Sequence, residues 1–147
     1  MRGFTLVELT MVIVIIGILV ALVGPRFFDR RVFDERLFYE ESLAAVRHAQ
    51  KLAVASGCSI RVTVASSGYA LSYAAACGTL ASGSAVRNPA GGYYAAGNPQ
   101  GVGVAPALDI TFNSLGAATG PANVAGFAAG AFSLTVHPTT GFIETTP

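Results

Sequence analysis

Few side chains in this sequence could do chemistry, and they form two groups. Glu8 is a carboxylate inside an otherwise apolar run, and Cys58 and Cys77 are the two cysteines. The carboxylate could neutralise a cation. The cysteines could form a disulfide or stay as two buried thiols, and a redox site is disfavoured because they do not form a Cys-x-x-Cys pair. Without a phosphate-binding loop, a nucleophile elbow or a metal-spaced His/Cys cluster, we expect no enzyme activity, no cofactor and no metal.

The composition indicates a chain that meets lipid or other protein over a large area. Its 147 residues are 52% hydrophobic and only 12% charged, and the mean hydropathy is +0.57, which is more apolar than is usual for a soluble domain. The formal net charge is +1, and most charged residues lie between positions 26 and 51. Nucleic acid is not an expected partner, because its binding usually needs a basic stripe.

The apolar run covers residues 4–24, where the polar side chains are Thr5, Glu8 and Thr10. As an α-helix, about twenty residues span about 30 Å, the thickness of the hydrocarbon core of a bilayer. We therefore predict a transmembrane helix. A removable secretory signal peptide is the alternative, but the run is longer than the usual apolar region, lacks a clear small-x-small cleavage site and contains a charge.

Glu8 needs a partner if it enters lipid, because a carboxylate there costs several kcal/mol. It could also reach the membrane edge, since it lies near the start of the run. The favoured cation is a free α-amino group on the same chain or on a neighbouring copy. Such a group requires a cut just before the run, and Gly3 is a small residue at that position.

The first residues resemble the class III signal of type IV pilins and type II secretion pseudopilins. The sequence Gly-Phe-Thr-Leu-Val-Glu at residues 3–8 leads into the apolar run. The resemblance implies that prepilin peptidase cuts after Gly3 and N-methylates Phe4. It also implies that Glu8 registers an incoming subunit against the N-terminus of its neighbour. Gly17 and Pro25 match positions where such helices bend.

The same resemblance implies the localisation of the protein and its partners. It would be a single-pass inner-membrane protein with a periplasmic C-terminal domain, held in the lipid bilayer before it enters a pilus or pseudopilus. Its partners would be other pilin or pseudopilin subunits, the prepilin peptidase and the inner-membrane assembly platform. The resemblance does not distinguish a secretion pseudopilus from a retractile pilus.

A second helix is predicted over residues 26–55, which contain no Gly or Pro and are rich in Arg, Glu, Ala and Leu. Ser56 and Gly57 supply its end. Its early charged residues would form ion pairs between subunits or a solvated juxtamembrane face. Together with the apolar run it would form a rod of about 78 Å, whose first half must protrude as in the lollipop shape of a pilin. Spacings of three and four predict a largely apolar face that contains Phe33, Leu37, Glu40 or Glu41, Ala44, Ala45, His48, Leu52 and Ala55.

The first strands of the remaining domain are predicted at 59–65 and 69–73, where apolar and polar residues alternate around a turn at Ser67 and Gly68. This turn places Val64 opposite Leu71. In the same register Cys58 faces Cys77, close enough for a disulfide, which the exported compartment would allow.

Further strands are predicted at 108–112, 132–136 and 142–145, with loops of small residues at 78–106 and 113–130. Tyr93 and Tyr94 in the first loop are candidates for contact with a partner, the alternative being an inert exported surface. The fold class is α+β, with the long helix packed on an antiparallel sheet. The predicted organisation is a leader (1–3), a transmembrane and polymerisation helix (4–24), an amphipathic helix (25–56) and an antiparallel β globular domain (57–147).

Two later stretches resemble the GspH/FimT family of minor pilins and pseudopilins, namely residues 43–57 and the pattern Val136-x-Pro138-x-x-Gly141-Phe142-Ile143. Residues 27–30 are similar to those of MSHA-type members. The resemblance implies a minor subunit that helps initiate or cap filament assembly. A tip binding module, either an adhesin or a DNA-uptake receptor, is the alternative. DNA-binding members of this family use a basic C-terminal tail, and this chain has no Arg or Lys after Arg87.

Overall fold

The computed structural model describes residues 5–23 and 30–146. The chain divides into two compact units, Met1–Phe33 and Asp34–Pro147. The predicted α+β fold class is confirmed. The helices are α1 (Leu6–Val23) and α2 (Arg30–Ser56), and the strands are β1 (Ile60–Ala65), β2 (Gly68–Tyr73), β3 (Ala95–Gly97), β4 (Leu108–Phe112), β5 (Ala118–Ala122), β6 (Val124–Phe127), β7 (Phe132–Val136) and β8 (Ile143–Thr146), with a short 3-10 turn at Ala128–Gly130.

Helix α1 begins after Thr5, whose hydroxyl accepts a hydrogen bond from the Glu8 backbone N–H at 3.3 Å. This is the N-cap arrangement that Thr favours, because it satisfies a donor left free in the first turn. The helix continues through Gly17 to its last residue. Over residues 5–23 and 30–146, no helix meets the length and apolarity required to cross a membrane.

The strands form two antiparallel sheets. One has the order β3-β2-β1-β4-β5 and the other the order β6-β7-β8. The centre of the larger sheet is apolar because β1 and β4 each direct alternate side chains into the core. Three buried pairs face each other across these strands: Ile60 with Phe112, Val62 with Ile110, and Val64 with Leu108.

Within the second unit, α2 packs its buried side chains against residues of both sheets. The ring of Tyr39 lies edge-on to Phe127 of β6 at 5.3 Å, and the ring of Phe38 lies 6.4 Å from Tyr69 of β2. Edge-on and tilted pairs of this kind are favourable ring arrangements. The buried residues of α2 are Phe38, Tyr39, Ser42, Leu43, Ala45, Val46, Ala49 and Ala53.

The apolar face predicted for α2 is not the face that packs on the sheets, since only Ala45 among its members is buried. Phe33 is 68% exposed and Leu37 is 43% exposed. The physical reason is that α2 carries apolar or small residues on more than one side, so spacing alone does not select the side that meets the sheets. The predicted end is confirmed, since Gly57 has φ 71° and donates to the Ala53 carbonyl at 3.0 Å, as expected of a left-handed cap.

The hairpin of β1 and β2 exists, but its register differs from the predicted one by two residues. Val62 rather than Val64 faces Leu71, and Ala65 pairs with Gly68, so Ser66 and Ser67 form the turn. A shift of two residues keeps every side chain on its predicted face, because strand side chains alternate with period two. The apolar pattern that supported the prediction was equally compatible with both registers.

The predicted loops contain more structure than the sequence indicated. Residues 113–130 include β5, β6 and the 3-10 turn, so the loop prediction there is wrong. Residues 78–106 include β3 and isolated bridges, among them Ser72 with Ala85 and Arg87 with Tyr93. Strands β4 and β7 have their predicted bounds, and β8 begins one residue after its predicted start.

Candidate assembly interface

The surface of α1 is apolar on all sides. Of its side chains up to position 21, even the most covered large apolar one, Val12, is 47% exposed, and Leu6 at the start is 78% exposed. A helix with one apolar stripe would bury that stripe and leave a polar face to water, but α1 has no polar face. An exposed apolar surface of this extent marks a site that lipid or another protein covers.

Glu8 lies in the first turn of α1 with its side chain exposed. It makes no ion pair with any residue that the structure describes. A carboxylate is favoured at this end of a helix, because the helix dipole places partial positive charge there. The nearby Thr10 hydroxyl donates to the Val7 carbonyl at 2.9 Å within the helix and not to Glu8. Glu8 is thus the side chain of α1 that is available to a cation.

Several predicted positions fall outside the described residues: the cleavage site Gly3 and Phe4, the proposed N-methylation of Phe4, the bend at Pro25 and the junction of the predicted rod at residues 24–29. Gly17 is described and lies inside α1, and apart from the local helix backbone no described atom comes within 4 Å of the place where a Cβ would sit. These positions and the assembly role of Glu8 stay predictions.

The disulfide between Cys58 and Cys77 is present, with the two Cα atoms 5.8 Å apart. The register used to predict it differs from the observed one, in which β1 and β2 pair only from Ile60 and Tyr73 onward. Cys58 lies two residues before β1, and Cys77 lies four residues after β2 in a segment that bridges to Leu80. The bond therefore joins the end of α2 to the start of the 78–106 segment.

Tyr93 and Tyr94, the predicted contact residues, have different surroundings. The Tyr94 ring stacks on the His48 ring of α2, with centroids 4.1 Å apart and planes 12° apart. Tyr93 is 58% exposed. His48 is half-buried as expected for a residue at the edge of the core. Of the two tyrosines, Tyr93 is the one whose ring is available to a partner.

Two pairs of charged or titratable side chains join strands of the β domain. Arg61 donates to both carboxylate oxygens of Asp109 at 2.8 and 2.7 Å, and this hydrogen bonding lowers the pKa of Asp109. His137 lies 3.0 Å from Glu144. Such pairs link neighbouring strands of the two sheets. Within the described part of the chain, no three His, Cys, Asp or Glu residues come together as metal ligands.

Sequence reasoning missed the side chains that hold the loops in place. The Gln50 amide on α2 donates to the carbonyls of Gly116 and Gly141 at 3.1 and 2.8 Å, which joins two turns to the helix. The Asn98 amide donates to Ser66 and Val102, and its oxygen accepts from the Val102 N–H. Amide side chains in a polar stretch give no sequence signal of this kind, because their partners are backbone groups distant in sequence.

Comparison with known proteins gives one informative similarity. The chain is 50% identical over 52 residues to the "Type IV narrow pilus major component PilA5" of Thermus thermophilus. The alignment covers 35% of this chain and 45% of the relative, so it spans less than half of that protein's length. No family model matches, and no solved structure matches. Over the aligned segment the chain is similar to this pilus component, which confirms the resemblance to the type IV pilin superfamily. The resemblance to GspH/FimT and MSHA-type members stays a prediction.

Proposed function

We propose that this protein is a structural subunit of a type IV pilus or of a related type II secretion pseudopilus. The observation that carries the proposal is the apolar, exposed surface of α1 together with Glu8, a carboxylate near its start that has no ion pair with the described residues. The surface supports a helix that packs against copies or relatives of itself, because a filament covers all sides of its central helices. The similarity to a pilus component points the same way.

The proposed life cycle follows from the N-terminal motif. The residue 1–3 leader is cut off by prepilin peptidase after Gly3, and Phe4 becomes the N-methylated first residue. The apolar residues 4–24 hold the subunit in the inner membrane, with the C-terminal domain in the periplasm, until the assembly platform extracts it. The disulfide between Cys58 and Cys77 supports an exported domain, because such bonds persist in oxidising compartments.

Two finer roles have separate support. The resemblance to GspH/FimT proteins favours a minor subunit that helps initiate or cap the filament. The relative is named a major component, which favours the main subunit of the filament. The ratio of this chain to other pilins in purified filaments separates these roles.

The proposal is tested by the composition of sheared filaments. Mass spectrometry of filaments from the native host should detect this chain, and deletion of the prepilin peptidase should remove it from the filament fraction while the uncut chain stays with the membranes. Deletion of the gene for this chain should reduce the number of filaments. A chain that is missing from wild-type filaments would overturn the proposal, and intact filaments that fail to adhere or to take up DNA would support the tip binding module instead.

A further inference from the structure

Arg87 and Tyr93 form an exposed basic and aromatic tip on the 78–106 segment. The two residues face each other in an antiparallel bridge. Their neighbours Val86 and Tyr94 are respectively buried in the core and stacked on His48 of α2. Because side chains alternate along an extended chain, Arg87 and Tyr93 point away from α2. Arg87 is exposed and makes no ion pair with the described residues.

A groove of about 470 Å³ lies elsewhere on the same unit, between α2 and the segment after β3. Its α2 wall consists of Leu37, Phe38 and Glu41, and Pro99 and Gln100 contribute to the opposite wall. Leu37 is 43% exposed there. Glu41 is exposed, and its neighbours one turn away, Leu37 and Ala44 among them, offer it no cation. The groove is largely apolar, and its one carboxylate makes no ion pair with the described residues.

The tip and the groove are complementary in charge and in chemistry. We propose that the Arg87–Tyr93 tip of one copy docks in the Leu37–Glu41 groove of a second copy, with the guanidinium on the Glu41 carboxylate and the phenol ring against Leu37. Arg suits this contact because its planar guanidinium can bind a carboxylate through two parallel hydrogen bonds. Tyr and Arg are also the residues that most often dominate binding energy at interfaces.

The symmetry of the contact matters for its consequence. Tip and groove are different patches, so the contact is head-to-tail, and repetition of a head-to-tail contact gives a ring or an open filament. The inference thus rests on the proposed function and extends it, since it requires copies of this chain to be neighbours. It favours the main subunit over a rare one.

Site-directed cross-linking of the full chain in its native host tests the contact. One allele carries Ala90→Cys, on the exposed turn between Arg87 and Tyr93, and a second, tagged allele carries Gln100→Cys on the groove wall, so the proposed contact residues stay intact. The native cysteines are already paired with each other. A short bis-maleimide, which adds to one thiol at each end, should join the two alleles in sheared filaments when they are co-expressed, and should give far less dimer with either allele alone. Arg87→Glu or Glu41→Arg should each lower the yield by roughly fivefold, which is the upper end for a partly exposed ion pair.

The charge swap provides the decisive control. Arg87→Glu combined with Glu41→Arg in both alleles should restore the cross-link, which a folding defect would not allow. Glu40→Arg and Arg47→Glu, on exposed neighbours that do not line the groove, should leave the yield unchanged. The inference is overturned if the mixed dimer does not form, if its yield does not change on charge reversal, or if the tip is cross-linked to a different protein. If one of these results is found while the wild-type chain is present in filaments, only the docking contact is disproved. If the wild-type chain is missing from filaments, the proposed function is disproved as well.

Discussion

The imidazole of His48 and the phenol ring of Tyr94 stack face to face, with centroids 4.1 Å apart. The stack attaches the 78–106 segment to α2, and the backbone of Tyr94 completes the attachment. Its N–H donates to the Val86 carbonyl at 2.8 Å, and its carbonyl accepts from the Leu71 N–H at 2.9 Å. A segment of mostly small residues is thus held on α2 by one aromatic pair and on β2 by backbone hydrogen bonds.

Replacement of Tyr94 tests this attachment. Tyr94→Ala should lower the free energy of unfolding by about 2 kcal/mol, because a half-buried ring is removed and a cavity is left. Tyr93→Ala is the matched control and should change it by less than about 0.5 kcal/mol, because that ring is exposed. Chemical denaturation of the full chain in detergent measures both, and equal effects of the two variants would contradict the arrangement.

The same stack should make stability depend on pH. Burial lowers the pKa of His48 below its ordinary value of 6.5, and the charge of Lys51 lowers it further. The unfolded chain therefore takes up a proton at higher pH than the folded chain. Neutral His48 therefore contributes to the free energy of unfolding above about pH 6.5, and this contribution is lost as the pH falls from there through the pKa of the folded state. His48→Phe keeps a ring against Tyr94 and should make the free energy of unfolding less dependent on pH in this range. An unchanged slope would show that other groups cause the dependence.

The disulfide should contribute measurably to stability. Cys58 and Cys77 are 19 positions apart, and closing a loop of this size stabilises the folded state by about 3 kcal/mol. The double variant Cys58→Ser/Cys77→Ser should lose that amount in denaturant titration, and reductant should affect the wild type alone. Thiol titration of the denatured, unreduced chain should find no free thiol; two free thiols would rule the bond out.

Gly141 should tolerate a side chain less well than another glycine with similar backbone angles. Gly141 has φ +65°, and a Cβ there would collide with the Gly116 carbonyl and crowd the Gln50 amide, whereas Gly83 has φ +82° and open space. Gly83→Ala should cost about 1 kcal/mol of backbone strain, and Gly141→Ala should cost about 3 kcal/mol because strain and steric overlap add. Thermal unfolding compares them, and equal losses would show that the turn relaxes freely.

The sequence predicted the elements better than the way they pack. The alternation in residues 59–65 and 108–112 was sufficient to identify β1 and β4, because half-buried strands impose a period of two. Strand β5, with the sequence Ala-Thr-Gly-Pro-Ala, has Thr119 as its one residue that favours strands, and its pairing with β4 makes it a strand. On α2 the burial of Ser42 and the exposure of Leu37 reverse the usual preference, since the sheets determine which side of the helix is covered.

The candidate site was predictable where its chemistry is local. A carboxylate in an apolar run singled out Glu8, and the two cysteines had only each other as partners within the chain. Glu41 and Arg87 gave no such signal, because a groove and an exposed tip exist only after distant segments meet. Tyr93 and Tyr94 were found as a pair, but the packing of one ring on His48 separates their roles.

The most direct test of the central claim is the fate of Glu8→Ala in the native host. The variant and a Thr10→Val control, whose hydroxyl bonds only within α1, are compared by mass spectrometry of the N-terminal peptide in membranes and in sheared filaments. We expect both chains in the membrane fraction to begin at N-methylated Phe4, and only Thr10→Val to reach the filaments at the wild-type level. Glu8→Ala present in filaments at the wild-type level, or a wild-type chain that still begins at Met1 there, would contradict the account.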